Sequence, residues 1–419
     1  MRRRLVLVTF LFAPFIIHLS IHSSFAQALE DTPPPVVESP PPSSEAQPAS
    51  IPTDEHRLPE LLPHEQEDAV TALGALRNAV RLSPDSADSR LKLAEGLYRI
   101  GDLDAAIEEC RVALTLESHN ADAYLQLGVS LMVKQDARAA ATALKEAILL
   151  DPTLTHAHYS LGSAQYSLGH LTAAIQSYRR ALDLQPNFPD ARYRLALVLK
   201  LTNQHREAVQ LMEEAAIGGV PQAQYFMGNA YRNGQGVEKN LSLAIRWWTK
   251  AIEFGQPRAG ESLSQLRRQA LSPDQPERRR KDMIEAFRQY RDDLWADHPD
   301  VARDDQSESL GITLLNNSQS LNGITVLFTE AFALSETAHD ELARLYETGL
   351  DTRLAQFDTR TLTCFTTTAA DGFIPAKKAL ARIYGKGLGV TPDLQKAKAM
   401  LKGLPKQETK AILDEIVGR

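Results

Sequence analysis

From Ala87 onward the apolar residues recur at the three-and-four spacing of a buried helix face, in two stretches per unit separated by turns such as Gly101–Asp102 and Gly169–His170. The pattern predicts helix, turn, helix, repeated along the chain. Segments beginning at Ala87, Ala121, Thr155 and Pro189 align without gaps at a spacing of 34 residues. The alignment brings Leu93–Ala94, Leu127–Gly128, Leu161–Gly162 and Leu195–Ala196 into register, then Ala106, Ala140, Ala174 and Ala208, then Ala113, Ala147, Ala181 and Ala215. Pro152 and Pro186 stand after the second stretch, where a prolyl residue ends a helix. Pro84 closes a half-unit before them, with Ala72 and Ala79 at the corresponding places. Small residues at fixed places let two helices approach closely. One pair cannot bury its apolar face alone, so neighbouring pairs must stack.

After Pro221 the unit changes. Ala223, Met227–Gly228, Tyr231, Gly234, Gly236–Val237, Ala244, Trp247–Trp248, Ala251, Gly255 and Ala259 include a longer glycine loop. A second copy reads Leu380–Ala381, Tyr384, Gly387, Gly389–Val390 and Ala397, with the same step from loop glycine to helix alanine. A worn copy between them has Leu342–Ala343, Tyr346, Gly349, Cys364–Phe365, Gly372 and Ala376, without the loop Gly-Val. The first unit resembles the tetratricopeptide repeat and the second the Sel1-like repeat, over roughly 155 and roughly 110 residues respectively. The resemblance implies an all-α fold, a right-handed α-solenoid of stacked helix pairs, in which tetratricopeptide units are followed by Sel1-like units.

The domain reading follows: a half-unit over 64–86, four tetratricopeptide repeats over 87–220, a Sel1-like repeat over 221–262 and two more over 338–405. The stretch 263–337 reads as charged and irregular or as a degenerate repeat, with a helix expected around Met283 to Trp295 and an Asp-rich interruption from Asp297 to Asp305. Residues 406–419 are expected to form a capping helix that places Ile412, Leu413 and Ile416 on one face.

The N-terminus follows a different pattern. Arg2, Arg3 and Arg4 precede an apolar run from Leu5 to Ile21, and Ser24–Phe25–Ala26 offers a small-residue cleavage site, so residues 1–26 read as a signal peptide. No cysteine follows the run, which excludes lipid attachment there. Residues 27–63 are Pro-rich with Ser, Glu and Ala, a composition that buries little and reads as a disordered linker and tether.

With a net charge of -7, nothing in the composition resembles a nucleic-acid binder, whose phosphate contacts need a clustered basic excess. Two cysteines, Cys110 and Cys364, cannot form a disulfide framework. Cys110 falls at a packing position and Cys364 replaces the first tryptophan of the Sel1 pair, so both are expected to be buried, inert thiols. Gly385–Lys386–Gly387–Leu388–Gly389 lacks the strand context and the Gly-Lys-Ser/Thr ending of a phosphate loop, and its glycines suit a turn of positive φ. His156 and His158 stand two apart on a helix and point to different faces, which argues against a shared metal. The run Arg278 to Lys281 reads as a solvated face. Hydrolase signatures are absent, so the reading assigns no catalytic residue, metal or cofactor.

In the tetratricopeptide family the first helix of each unit lines the concave surface. The resemblance places Leu91, Leu125, Tyr159, Tyr193 and Tyr225 at fifth positions, Glu95, Val129, Ser163, Leu197 and Asn229 at ninth, and Tyr98, Met132, Tyr166, Lys200 and Arg232 at twelfth. This predicts a groove that is apolar and aromatic, turning basic near Lys200 and Arg232, suited to a peptide with an acidic end. Tyrosine at the fifth position also serves packing in that family. The family's clamp for the carboxyl termini of heat-shock chaperones needs lysine and asparagine where this chain has Leu91 and Glu95, which argues against a co-chaperone. The expected function is a non-enzymatic protein-interaction scaffold in the bacterial cell envelope, periplasmic or secreted. The alternatives are a secreted Sel1-like enzyme of β-lactamase type and a spacer anchored in the membrane through Leu5 to Ile21.

Overall fold

Short polar side chains mark where the helices begin. Ser86, Asp102, Asn120 and Asp136 each accept a hydrogen bond from the backbone N–H three residues on, satisfying donors that the first turn leaves without a carbonyl. The computed structural model describes residues 63–303, 309–317, 319–351 and 353–418. The expected signal peptide and nearly all of the Pro-rich linker lie outside these residues. Among the described residues the regular structure is twenty helices, with a single isolated β-bridge, Asp351 to Leu354. The chain divides into two compact units that part between Gln204 and His205, inside the fourth 34-residue unit.

The first unit contains α1 (Pro63–Leu82), α2 (Ala87–Arg99), α3 (Leu103–Leu116), α4 (Ala121–Val133), α5 (Ala137–Leu150), α6 (Thr155–Ser167), α7 (Leu171–Leu184) and α8 (Pro189–Leu201). Pro63, read from sequence as the end of the linker, is the first residue of α1, where a missing N–H costs nothing. Helices α2, α4, α6 and α8 begin at the four residues that head the aligned segments. The paired helices α2/α3, α4/α5 and α6/α7 pack tightly, each pair stacks on the next in chain order, and successive first helices also touch one another.

What lets the pairs close is a small residue facing a large one. A Cβ added to Gly128 would lie 2.5 Å from Leu144, and one added to Gly162 would lie 2.8 Å from the Tyr178 ring. The same register sets Cys110 opposite Ala94, both fully buried. The alanines at the two further repeat positions are likewise buried, Ala106, Ala140, Ala174, Ala113, Ala147 and Ala181 all at 0% exposure. The turn between paired helices needs a residue of positive φ, supplied by Gly101 (84°), Gln135 (67°), Gly169 (76°) and, after α8, Asn203 (61°). Gln135 carries a Cβ into a conformation that favours glycine.

The second unit contains α9 (His205–Ile217), α10 (Pro221–Asn233), α11 (Leu241–Glu253), α12 (Pro257–Leu271), α13 (Glu277–Ala296), α14 (Leu310–Asn316), α15 (Ser320–Phe332), α16 (Glu336–Thr348), α17 (Thr359–Ala370), α18 (Ile374–Lys386), α19 (Leu394–Met400) and α20 (Lys406–Val417). Helices α10 and α11 form a pair in which Trp248 sits against Gly228, and the wide loop between them turns on Gly234 and Gly236, both of positive φ. Gly387 and Gly389 do the same between α18 and α19. Gly387 and Gly389 thus form the expected turn after a helix, whereas Gly385 is helical and serves close packing, since a Cβ there would lie 2.6 Å from Ile416.

The stretch 263–337, read from sequence as charged and irregular or as a degenerate repeat, is mostly helical among its described residues, while residues 304 and 305 of the expected Asp-rich interruption lie outside them. Its charged run forms the exposed start of α13, while Met283, Ala286, Phe287 and Tyr290 bury one face of that helix at three-and-four spacing. Helices α14 and α15 form a tight pair, with Gly311 against the Leu327 backbone. Buried polar contacts join elements distant in sequence. Asp371, in the turn before α18, meets the buried Arg267 of α12 at 2.7 Å and Arg268 at 3.1 Å. Glu330 accepts hydrogen bonds from the Leu310 and Gly311 N–H groups at 2.8 and 3.2 Å, capping α14 from α15.

Two substitutions test this account in opposite senses. Gln135→Gly should raise unfolding stability by up to about 1 kcal/mol by relieving the left-handed residue. Gly162→Ala should lower it by about 1–3 kcal/mol by forcing Tyr178 outward. Urea unfolding of the two variants and the parent measures both.

Candidate functional site on the inner face of the first helices

Because α2, α4, α6 and α8 touch one another, their contact side is the inner side of the stacked pairs in the first unit. The fifth, ninth and twelfth positions share one face of each first helix at the helical period, and the structure divides them by burial. Tyr98, Met132, Tyr159, Tyr193 and Leu197 are buried, whereas Leu91, Leu125, Val129, Ser163, Tyr166 and Lys200 are half-buried and Glu95 is exposed.

The buried set is held by neighbours that the sequence does not place beside it. Tyr159 packs between Phe188, ring centroids 5.0 Å apart, and Tyr178, 5.8 Å apart. Its hydroxyl accepts a hydrogen bond from Arg194, and burial pushes that hydroxyl above the usual tyrosine range. Arg194 is 4% exposed and its guanidinium lies 6.0 Å from the Tyr193 ring centre. The Ser163 and Tyr178 hydroxyls are 3.0 Å apart. Tyr159 and Tyr193, which the sequence placed in the groove row with packing as the other reading, are buried, so removing either ring opens a cavity instead of clearing a surface. The sequence reading missed Arg194. A charged residue flanked by Tyr193 and an apolar run was the available signal.

The accessible members of these rows are Leu125 and Val129 on α4, Ser163 and Tyr166 on α6, Leu91 and Glu95 on α2, and Lys200 at the end of α8. They present apolar area, one phenol, the Glu95 carboxylate and the Lys200 cation, while the Ser163 hydroxyl is bonded to Tyr178. In the second unit, Tyr225, Asn229 and Arg232 of α10 are half-buried. Arg232 donates to Gln265 at 3.2 Å and lies 5.8 Å from the Trp248 ring centre.

Comparison with known proteins agrees with the repeat periods. A TPR repeat model matches residues 162–202, a tetratricopeptide repeat model matches 65–124, and a Sel1 repeat model matches 221–253 and 375–402. No curated protein shows a significant match. Among solved structures, MamA is 27% identical, covering 39% of this chain and 95% of its own, with a TM-score of 0.34. YrrB, described as a TPR protein with an unusual peptide-binding site, is 23% identical over 45% of this chain and 97% of its own, with a TM-score of 0.36. PilF of Pseudomonas aeruginosa is 22% identical over 48% of this chain and 92% of its own, with a TM-score of 0.41.

Both cysteines, His158 and His339 are buried, whereas His156 is exposed. Cys110 and Cys364 are both fully buried, and burial pushes each thiol up to about 12, leaving it protonated. Both are the buried thiols that their repeat positions imply. His156 lies against the Phe188 ring, centroids 5.5 Å apart, while the His158 ring nitrogen Nε2 sits 3.0 Å from the Pro152 carbonyl. His339 on α16 hydrogen-bonds the Ser335 carbonyl at 2.8 Å and the Thr368 hydroxyl at 3.0 Å, beside Phe365 and Phe373. Burial depresses it to about 4, opposed by the Ser335 carbonyl and reinforced by nearby Arg267.

This histidine makes stability depend on pH. Above about 6.5, the ordinary histidine value, it is neutral folded or unfolded. As pH falls from there toward 4 the unfolded chain takes up a proton that the folded protein refuses, so stability declines, by up to about 3 kcal/mol at the lower end. Glu330, whose carboxyl burial pushes upward, acts in the opposite sense, so the comparison must be made at His339 itself. Denaturant unfolding of His339→Gln should show a shallower loss between pH 6.5 and 4 than the parent. Equal slopes would contradict the assignment.

Proposed function

Because the chain carries tetratricopeptide repeats followed by Sel1 repeats, we propose that it is a non-enzymatic protein-interaction scaffold of the bacterial cell envelope that captures a peptide segment of its partner. The binding surface is the accessible strip of the first unit, centred on Leu125, Val129, Ser163 and Tyr166. The observation that carries the reading is the division of the inner face. A buried layer of Tyr159, Tyr178, Tyr193 and Arg194 fixes the geometry, and above it stands a row of half-exposed apolar and hydroxyl-bearing side chains.

Such a strip suits an extended or helical segment that lays alternate side chains on the apolar positions and offers polar groups to Tyr166. Tyrosine gives contact area at low entropic cost and a polar tip. An acidic terminus of the segment would meet Lys200. The signal-peptide pattern at the N-terminus supports export, and the Pro-rich tether after it supports a folded body held at a distance from whatever the N-terminus contacts.

Affinity capture from envelope extracts, with the chain as bait, tests this reading. Leu125→Glu with Tyr166→Ala changes the strip and leaves Tyr159, Tyr193 and Arg194 in place, and because Leu125 also packs against the core around Leu131 and Leu144, the variant's helicity is measured alongside. The expected result is recovery of one or a few envelope proteins by the parent, with at least tenfold less recovered by the double variant, about 1.4 kcal/mol of lost binding. Equal recovery by both proteins, with helicity unchanged, would reject the strip as the binding surface.

A further inference from the structure

The C-terminal end of the second unit carries a feature that the scaffold reading does not use. Against a net charge of -7 for the whole chain, residues 374–418 hold nine lysines and arginines and four acids. Part of this excess gathers around an open cavity of about 680 Å³ between α19 and α20. Lys398 and Lys402 line it from one side, Lys406 and Lys410 from the other. The floor is apolar. Leu401 is 1% exposed, and Leu404 and Leu413 are packed into the same small core. Asp414 is the one acid in the lining.

The charge arrangement on α20 follows from helix period. Glu408, Ile412 and Glu415 share the side toward α18, where Lys378 meets Glu408 at 2.8 Å and Lys386 and Arg382 meet Glu415 at 2.8 and 3.0 Å. Lys406, Lys410 and Leu413 share the other side and face the cavity. Two of the three acids of the helix are thus spent on α18. Among the described residues, none of the four cavity lysines is ion-paired with a carboxylate. Lys396, by contrast, lies 3.7 Å from the Tyr384 ring centre. The reversal between α19 and α20 passes through Gly403, whose φ of 92° suits glycine, so the backbone itself shapes the concavity.

We propose that this cavity is a docking site for an acidic polypeptide segment with interspersed apolar side chains, separate from the strip on the first unit. Two lysines on each side and leucines between them match carboxylates flanking an apolar residue. The concavity favours a single chain segment over a bilayer, since a flat anionic surface would reach only the rim lysines and leave the leucine floor uncovered. Exposed lysine–carboxylate contacts are individually weak and screened by salt, so binding should be strongest at low ionic strength.

Fluorescence anisotropy with the full chain tests the assignment, using a labelled peptide of alternating glutamate pairs and leucines, polyglutamate of the same length, and phosphatidylglycerol vesicles. The mixed peptide should bind at low salt, on the order of tenfold more weakly to Lys402→Gln/Lys406→Gln and with retained affinity for Lys402→Arg/Lys406→Arg. Because these lysines are exposed, both variants should keep the parent's helicity. Absence of binding, or equal binding by the glutamine variant, would overturn the proposal. Polyglutamate binding as tightly as the mixed peptide would overturn the role of the leucine floor. Vesicle binding through the same lysines, in preference to the peptide, would replace the polypeptide with a lipid surface.

Discussion

Everything in the first unit depends on how closely two helices of a pair can approach. Gly128 receives Leu144 and Gly162 receives Tyr178, so the large side chain of the second helix lies against the backbone of the first. With the pair closed this way, its remaining apolar side chains face the next pair, and stacking becomes the way to bury them. The inner face follows from the stacking, because successive first helices then touch. Loss of the small seat would separate the pair and dissolve the surface that a partner could use.

The second unit meets the same constraint with Gly228 and Trp248 and again with Gly311 and Leu327. Beyond α11 its elements are joined by buried polar contacts as well as by apolar packing. The Arg267–Asp371 pair and the Glu330 cap each remove charged groups from water, which is costly unless geometry is good and other hydrogen bonds complete the site. Asp371 receives Arg267 and Arg268 together, and Glu330 accepts two backbone N–H groups. Such contacts specify one arrangement of irregular helices where no exact repeat is available to do so.

Much of the first unit was legible in the sequence because each of its determinants is local and periodic. The 34-residue step fixed the helix starts at Ala87, Ala121, Thr155 and Pro189, and the small positions marked where the pairs meet. The buried thiols of Cys110 and Cys364 followed from their repeat positions. The stretch 263–337 was less legible because the charge of α13 obscures its buried stripe of Met283, Ala286, Phe287 and Tyr290. Arg267 and Asp371 are 104 residues apart, a distance at which no sequence pattern pairs them. The burial of Tyr159 was also out of reach, since it depends on Phe188 and Tyr178 arriving from other helices and on Arg194 reaching across. The cavity lysines Lys398 to Lys410 lacked meaning until α20 folded back and turned Glu408 and Glu415 away from them.

The central claim, that partners meet the chain on the accessible inner strip, is most directly tested by site-specific photo-crosslinking in intact source cells. A photoreactive side chain is placed at Val129 or Tyr166, and at Lys145 on the exposed side of α5 as the reference. The account predicts discrete adducts with an envelope protein from positions 129 and 166 and none from 145. Adducts of equal yield from position 145, or none from the two strip positions, would contradict it.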